Sequence, residues 1–265
     1  METGKMPVLR FDSYSTGRID EGGGFVLVTR QLMNGDNYFR ANALALWCSC
    51  ALVLLSSVPA GWAQPSARPA EKTPAARRTV VVLGDSLAAG YGVDPSEAFP
   101  ALLQGKIDSA GQNFTVINAG VSGDTSADGL NRINWLLKRE IDVLIVELGG
   151  NDGLRGIPVS TTETNLQAII DRVKQKYPRA QIIIAGMQMP PNMGEAYTGA
   201  FKKIFPDLAE RNHAALVPFL LEGVGGDPKL NQADHIHPTP EGHRIVAENV
   251  WKVLKNVLAA GRADG

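Results

Sequence analysis

A serine, a histidine and an aspartate of this chain have the residue types that nucleophilic catalysis requires. Ser86 follows an apolar run, residues 79–83, within the sequence Gly-Asp-Ser-Leu at 84–87. Asp234 and His237 lie three residues apart, far downstream. A serine hydroxyl becomes a strong nucleophile when an imidazole removes its proton and a carboxylate orients that imidazole. The three residues therefore offer one arrangement suited to acyl transfer, although an aspartate three residues before a histidine is by itself a common pattern.

Acyl transfer also needs hydrogen-bond donors that face the oxyanion of the tetrahedral intermediate. Two glycine-containing segments follow apolar runs and can supply such donors. Gly123 lies in Ser-Gly-Asp-Thr at 122–125 and offers a backbone N–H, while Asn151 lies in Gly-Gly-Asn-Asp at 149–152 and offers a side-chain amide. Segments of this composition are more often ordinary turns with helix N-caps. Neither segment alone therefore identifies an oxyanion hole.

The remaining histidines and acidic residues give no sign of a metal or cofactor site. His213, His235 and His243 are each expected to be surface or capping residues rather than bases. No cluster of His, Asp and Glu has the spacing of a metal site, and no glycine-rich loop ends in Lys-Ser/Thr to hold a nucleotide phosphate. The sequence predicts chemistry that uses no metal and no cofactor.

The apolar runs that precede these polar segments have the character of buried parallel strands. Five runs alternate with helical patterns, and they cover residues 79–83, 115–118, 143–148, 181–187 and, more weakly, 215–218. Near-continuous apolar strands are typical of a parallel sheet with both faces covered, and strict alternation implies right-handed crossovers. The fold class is therefore predicted to be α/β, a three-layer α/β/α sandwich with about five parallel strands. Open sheets of this kind place their chemistry at the carboxyl edge.

Two of the helical patterns carry signals for where the helix begins. Ser160 and Glu163 have the spacing of a capping box. Thr239 precedes Pro240, which predicts an N-cap followed by proline at the first helical position. The last helix is thus expected to begin directly after the segment that contains His237.

Composition limits the classes of partner. The 265 residues carry 26 Lys and Arg against 27 Asp and Glu, so the formal net charge is -1. A chain with no basic stripe is not expected to bind nucleic acid. The expected partner is therefore a small-molecule substrate.

The first sixty-odd residues differ in character from the rest. Arg40 precedes an apolar run at 41–58, and small residues at Gly61 and Ala63 complete the pattern of a secretory signal peptide with cleavage after Ala63. The alternative is an uncleaved membrane anchor, for which the run is slightly short. Both cysteines lie inside this run, so the mature chain would contain none. Met33 is an alternative start site.

These boundaries predict the domain organisation and the location. Residues 1–63 form an N-terminal extension with the signal peptide, residues 64–78 a flexible linker and residues 79–260 the catalytic domain. The protein is expected in the periplasm or outside the cell, with no stable membrane span after signal cleavage.

Four segments together carry a resemblance that none carries alone. The sequences at 84–87, 122–125 and 150–152, followed by Asp-x-x-His at 234–237, occur in the order of the four blocks of the SGNH hydrolases, the GDSL esterase/lipase superfamily. The longer stretches Asn-Ala-Gly-Val-Ser-Gly-Asp-Thr, ending at Thr125, and Glu-Leu-Gly-Gly-Asn-Asp-Gly-Leu-Arg-Gly, beginning at Glu147, resemble the branch of periplasmic thioesterase I, lysophospholipase L1 and arylesterase. The resemblance extends over essentially the whole predicted domain.

The resemblance implies a flavodoxin-like fold and a role for each site residue. Ser86 would be the nucleophile, His237 the general base and Asp234 its orienting partner. The oxyanion hole would combine the backbone N–H groups of Ser86 and Gly123 with the Asn151 side chain. Substrate contacts are expected from a loop that adjusts to acyl chains and from the segment after the fourth strand, at Gly153, Leu154, Ile157, Met189 and Pro190. That last segment, 187–194, departs from the thioesterase I pattern, so the preferred chain length does not carry over.

The leading hypothesis is a secreted serine esterase that acts on acyl esters, with thioesters and lysophospholipids as further candidate substrates. A carbohydrate O-acetylesterase would use the same residues, but the aromatic sugar platforms expected near its catalytic loop are absent between residues 225 and 240. The alternative from another class is a non-catalytic anion-binding protein that uses the helix N-termini at Ser86 and Gly123. A complete set of nucleophile, base and oxyanion donors favours the enzyme.

Overall fold

The structure is a computed structural model that describes residues 76–260. The predicted signal peptide, its cut after Ala63 and the linker up to residue 75 lie outside the described residues. The five strands are β1 (Arg78–Gly84), β2 (Phe114–Gly120), β3 (Val143–Glu147), β4 (Gln181–Ala185) and β5 (Ala215–Val217). They form one parallel sheet in the order β2-β1-β3-β4-β5. The α/β class with five parallel strands is confirmed.

Helices follow the strands and cover both faces of the sheet. They are α1 (Ser86–Ala89), α2 (Phe99–Ser109), α3 (Ser126–Leu136), α4 (Gly150–Leu154), α5 (Val159–Lys176), α6 (Glu195–Asn212) and α7 (Pro240–Ala260), with a short 3-10 turn at Pro191–Met193. Helices α2 and α7 pack on each other, and α5 packs between α3 and α6. The result is the predicted three-layer sandwich. Among the described helices, none is long and apolar enough to cross a membrane.

The core explains why the strands form where the apolar runs lie. Val80, Val81, Val82 and Leu83 of β1 are completely buried, and so are the central residues of β3 and β4. A parallel strand covered on both faces buries side chains of both orientations, so its sequence is apolar throughout. The buried strands therefore hold the polar segments at the edge of the sheet in fixed positions.

The strand ends bring three polar loops together. In the sheet, Gly84 at the end of β1 is in register with Gly120 of β2 on one side and with Glu147 of β3 on the other. The residues that follow these three positions therefore emerge next to one another at the carboxyl edge. This is the edge at which the sequence predicted the chemistry.

Some predicted boundaries differ from the structure. The fourth strand ends at Ala185 rather than at residue 187. The chain then passes close to the segment after β5, where a Cβ on Gly186 would lie 2.4 Å from the carbonyl oxygen of Pro218. The capping box at Ser160 and Glu163 is wrong. Helix α5 begins at Val159 after Pro158 with no side-chain cap. Its Glu163 instead pairs with Arg211 of α6 at 2.7 Å.

The predicted start of the last helix is confirmed. Helix α7 begins at Pro240. The Oγ1 atom of Thr239 accepts a hydrogen bond from the backbone N–H of Gly242 at 3.3 Å, as an N-cap does. The segment that contains His237 is thus anchored at the N-terminus of a long, well-packed helix.

Candidate active site

Ser86 lies at the first position of α1, immediately after β1. The carboxylate of Asp85 caps this short helix, since its Oδ1 accepts the backbone N–H of Leu87 at 3.0 Å. Below the turn, Oε2 of Glu147 accepts the backbone N–H groups of Asp85 and Ala88, each at 3.2 Å. Gly84 is required here by close approach, because a Cβ would lie 2.3 Å from that same Oε2 atom. Two buried carboxyl groups therefore fix the turn that presents the serine.

His237 and Asp234 stand beside Ser86 in a continuous chain of contacts. The Nε2 atom of His237 lies 2.9 Å from Ser86 Oγ, and its Nδ1 atom lies 2.7 Å from Asp234 Oδ2. With Nδ1–H donating to the carboxylate, Nε2 is left as the acceptor that faces the hydroxyl. The structure thus brings together the three residues that the sequence singled out, from opposite ends of the domain.

The carboxylate of Asp234 is held by its own loop. Its Oδ1 atom accepts the backbone N–H groups of Ile236 at 2.9 Å and His237 at 3.0 Å. The hydrogen bonds from the backbone and the ring of His237, and then the one from Ile236, lower the pKa of Asp234 to about 2. The group is therefore ionised at neutral pH, as a partner of an imidazolium must be.

Three candidate oxyanion donors lie around Ser86. Within the described residues, the backbone N–H groups of Ser86 and Gly123 have no hydrogen-bond partner, so both are free to bind a substrate oxygen. Gly123 has a φ of 87°, a conformation that a residue with a Cβ adopts at a cost. The Nδ2 atom of Asn151 donates to Asp85 Oδ2 at 3.2 Å and to the carbonyl oxygen of Asp124 at 3.0 Å. Asn151 must therefore redirect one of these hydrogens to meet an oxyanion.

Burial raises the pKa of both carboxyl groups beneath the serine. Burial raises the pKa of Asp85 to about 6, although the Leu87 N–H, the His237 charge and the Asn151 amide each oppose the rise. Burial, and then repulsion from Asp85, raises the pKa of Glu147 well above its usual range. Glu147 is completely buried, and its Oε1 has no hydrogen-bond partner among the described residues. Burial therefore favours the neutral form of Glu147, while the carboxyl group of Asp85 accepts the amide of Asn151.

An apolar cavity of about 570 Å³ opens beside the serine. Of the predicted substrate contacts, Leu154, Met189 and Pro190 line it, together with Ser86 and Asn151. The apolar lining residues that the sequence did not identify include Phe219, Leu221 and Ile236. Phe219 and Leu221 follow the weakly predicted fifth strand. The sequence could have indicated Ile236, because it is an apolar residue between two histidines.

Gly153 and Ile157 were also predicted as substrate contacts, but they do not line the cavity. They lie behind its wall: a Cβ on Gly153 would lie 2.2 Å from the sulfur of Met189, and the carbonyl oxygen of Ile157 accepts the Tyr197 hydroxyl at 2.8 Å. These two positions therefore support the wall rather than form it. Within residues 76–260, no group of three or more His, Cys, Asp or Glu residues could hold a metal ion.

The other histidines have structural positions. His213 ends α6 in the left-handed conformation, which confirms a capping role, and His235 is exposed beside the catalytic candidates. His243 is not a surface residue. It is buried in α7, and its Nδ1 accepts the backbone N–H of Phe99 at the start of α2 at 3.3 Å. Burial, with a smaller contribution from the His237 charge, lowers the pKa of His243 to about 4.

A parallel α/β sandwich with a serine, a histidine and a carboxylate at the carboxyl edge has the arrangement of a serine hydrolase. Residues 82–245 match the GDSL-like Lipase/Acylhydrolase family. The chain belongs to this family and is an ester hydrolase.

Individual relatives cover most of the predicted domain. The chain is 43% identical to Esterase TesA of Pseudomonas aeruginosa over 185 residues, which are 69% of this chain and 91% of that protein. It is 41% identical to Thioesterase 1/protease 1/lysophospholipase L1 of Escherichia coli K12, over 69% of this chain and 86% of that protein. Among solved structures, it resembles the psychrotrophic esterase EstA from Pseudoalteromonas sp. inhibited by monoethylphosphonate, with a TM-score of 0.65, 33% identity and coverage of 69% and 99% of the two chains.

Proposed function

We propose that the protein hydrolyses carboxylic esters through an acyl-enzyme on Ser86, with His237 as general base and general acid and Asp234 as its orienting carboxylate. The observation that supports this most strongly is the unbroken chain of contacts: 2.9 Å from Ser86 Oγ to His237 Nε2, and 2.7 Å from His237 Nδ1 to Asp234 Oδ2. The first distance is in the range at which a base can remove the proton of a nucleophile, and the second is that of a hydrogen bond that orients the base.

The reaction follows from these contacts. Ser86 Oγ attacks the carbonyl carbon of the ester while Nε2 of His237 takes the hydroxyl proton. The carbonyl oxygen becomes an oxyanion, which the N–H groups of Ser86 and Gly123 and the amide of Asn151 stabilise. The bond from carbon to the leaving oxygen then breaks, and that oxygen takes the proton from His237. A water molecule, deprotonated by His237, attacks the carbonyl carbon of the acyl-enzyme. The bond from that carbon to Ser86 Oγ then breaks, Oγ takes the proton from His237, and the acid and free Ser86 result.

The apolar character of the cavity supports the proposal that it binds the acyl chain of the substrate. Leu154, Met189, Pro190 and the aromatic ring of Phe219 make much of its wall apolar, and the ionisable side chains that line it, Asp85, His235 and His237, belong to the nucleophile turn and the segment that contains the base. A thioester carbonyl can be attacked by the same serine, and one relative carries both thioesterase and lysophospholipase in its name. We propose acyl esters and acyl thioesters as substrates, and lysophospholipids as a further class.

The experiment is a matched panel of substrates that share one acyl chain. Nitrophenyl esters of rising acyl length identify the preferred chain; an alkyl ester, an acyl thioester and a lysophospholipid with that chain then identify the preferred leaving group. The expected result is turnover of the ester and the thioester by the wild type and none above background by Ser86→Ala. Preference for O-acetylated sugars over every member of the panel would instead support a carbohydrate O-acetylesterase.

The location of the enzyme is a proposal from the sequence. We infer export to the periplasm or the medium, with removal of residues 1–63. Fractionation of cells that express the full chain, followed by N-terminal sequencing, tests this directly. A mature protein that begins at Gln64 in the exported fraction is the expected result, and a membrane-bound chain that retains residues 41–58 would contradict it.

A further inference from the structure

Tyr91 makes an unusual contact with the candidate base. Its ring lies against the imidazole of His237, with 4.5 Å between the ring centroids and 41° between the planes. Tyr91 is also 52% exposed, so about half of the residue's surface faces solvent beside the reacting atoms. A large aromatic surface exposed at a reaction centre is available for contact with substrate.

Tyr91 and the acyl cavity occupy different parts of the site. Two other exposed apolar residues, Leu154 and Ile236, line the cavity, whereas Tyr91 does not. In acyl transfer the acyl chain and the leaving group extend in different directions from the carbonyl carbon. Since the cavity takes the acyl chain, the leaving group needs a separate surface.

The chemistry sets where that surface must be. The leaving oxygen receives its proton from His237 Nε2, so the leaving group has to depart from beside the imidazole. Tyr91 is the aromatic side chain that flanks this imidazole among the described residues. Building on the proposed acyl-enzyme mechanism, we propose that Tyr91 forms the leaving-group subsite and that it favours esters with an aromatic alcohol portion.

The backbone of Tyr91 is held in a way that suits a binding surface. Its N–H donates to the carbonyl oxygen of Ser86 at 3.0 Å, and its carbonyl oxygen accepts the Gln232 side-chain amide at 2.7 Å. The backbone N–H of Gln232 in turn donates to the carbonyl oxygen of His237 at 2.7 Å. Tyr91 is therefore fixed relative to both Ser86 and His237. A platform that is already ordered loses little entropy when a ligand stacks on it.

Gly92 lets this connection form. A Cβ on Gly92 would lie 2.1 Å from Oε1 of Gln232, and its φ is 76°, so a larger residue would move the Gln232 side chain and strain the turn. The glutamine links the segment after the nucleophile to the loop with the base. The subsite is thus formed by two parts of the chain that are 141 residues apart.

The test compares two esters that differ in the aromaticity of the leaving group. Benzyl and cyclohexylmethyl esters of one acyl chain release alcohols of similar size and acidity. The measured quantity is the ratio of kcat/KM for the benzyl ester to kcat/KM for the cyclohexylmethyl ester, because kcat/KM reports the acylation step in which the leaving group departs. Tyr91→Ala is expected to lower this ratio by about 3- to 10-fold, the range that stacking contacts give, while Tyr91→Phe preserves it.

Two control variants separate the subsite from other roles. Trp135→Ala removes another exposed aromatic ring, from the outer end of α3, and is expected to leave the ratio and both rates unchanged. Leu154→Ala is expected to alter the acyl-length profile without altering the ratio. A ratio that stays constant in Tyr91→Ala, or an equal fall in both rates that shows only a role in holding His237, would overturn the proposal.

The outcome is distinguishable from a failure of the proposed mechanism. A fluorophosphonate probe that labels Ser86 in the wild type and in Tyr91→Ala shows that the nucleophile and base work whatever the ratio does. If Ser86 is labelled and the ratio does not change, the leaving-group subsite alone is wrong. If Ser86 is not labelled while the esters are still hydrolysed, the acyl-enzyme mechanism is wrong.

Discussion

The two halves of the candidate catalytic centre are held in opposite ways. The nucleophile platform, which comprises Asp85, Ser86 and Glu147, rests on the buried ends of β1 and β3. The base loop, residues 231–238, has no regular secondary structure apart from one isolated bridge and contains Asp234, whose side chain is 37% exposed, and His237. Buried carboxyl groups fix the platform, whereas hydrogen bonds within the loop, the hydrogen bond from Gln232 to Tyr91 and one ring contact fix the base.

This contrast predicts that the reaction and the stability of the fold depend on separate groups. A buried hydrogen-bonding group that loses its partner destabilises the fold, whereas an exposed one is solvated by water. Changes in the platform should therefore lower the free energy of unfolding. Changes in the base loop should lower turnover and leave stability almost intact.

The largest expected effect is in the base loop. Asp234→Asn keeps an oxygen for the backbone N–H groups of Ile236 and His237, but its amide favours the wrong imidazole tautomer. We expect kcat to fall by about 10⁴-fold with an almost unchanged melting temperature. Steady-state kinetics and calorimetry measure the two quantities.

Asp227→Asn is the matched control for that change, because Asp227 precedes the base loop and accepts only the backbone N–H of Lys229 with its side chain. It is expected to keep the wild-type kcat. A large loss of stability in Asp234→Asn would show that the loop is as important to the fold as the platform.

Asn151→Ala tests the link between the platform and the oxyanion. Its amide now contacts Asp85 and the carbonyl oxygen of Asp124. If it turns to the oxyanion in the transition state, its removal should lower kcat by about 10²–10³-fold with little change in KM. An increase in KM alone would assign Asn151 to substrate binding.

Glu147→Ala should destabilise the nucleophile platform and lower the free energy of unfolding. The change leaves the buried backbone N–H groups of Asp85 and Ala88 without their acceptor. The expected loss is about 2–4 kcal/mol in the free energy of unfolding, measured by urea denaturation. Glu147→Gln keeps an acceptor oxygen and should lose less; equal stability of the alanine variant and the wild type would contradict the role of this carboxyl group.

The smallest expected effects are opposite dependences of stability on pH. The pKa of Asp85 is raised from 3.8 to about 6, so its contribution is complete below about pH 4 and is lost as the pH rises through 6. The pKa of Asp234 is lowered from 3.8 to about 2, so its contribution is present above about pH 4 and is lost as the pH falls through 2. The Asp234 effect is expected to be slight, because water screens an exposed pair.

Urea unfolding of the wild type, Asp85→Asn and Asp234→Asn across this pH range measures the two contributions as differences. The difference between the wild type and Asp85→Asn should change mainly between pH 4 and 7. The difference between the wild type and Asp234→Asn should change only below pH 4. If both stability differences change over the same pH range, the contrast between the platform and the base loop is wrong.

The sequence predicted the candidate catalytic groups and missed several groups that hold them in place. Continuous apolar runs indicate buried parallel strands, and four motifs in order indicate the site, because both signals are local. Glu147 ends an apolar strand, and its role depends on the Asp85 turn of a neighbouring strand. Tyr91 reaches His237 only through the fold. The predicted capping box at Ser160 was wrong because α5 begins one residue earlier, at Val159, and Glu163 pairs with Arg211 on another helix.

The most direct test of the acyl-enzyme mechanism is mass spectrometry of the intact protein after rapid acid quench of its reaction with a nitrophenyl ester. The wild type is predicted to gain the mass of one acyl group, which peptide mapping assigns to Ser86. Ser86→Ala should gain none, and Asp234→Asn should acylate more slowly at the same residue. Acylation of another residue, or hydrolysis at the wild-type rate by Ser86→Ala, would contradict the mechanism.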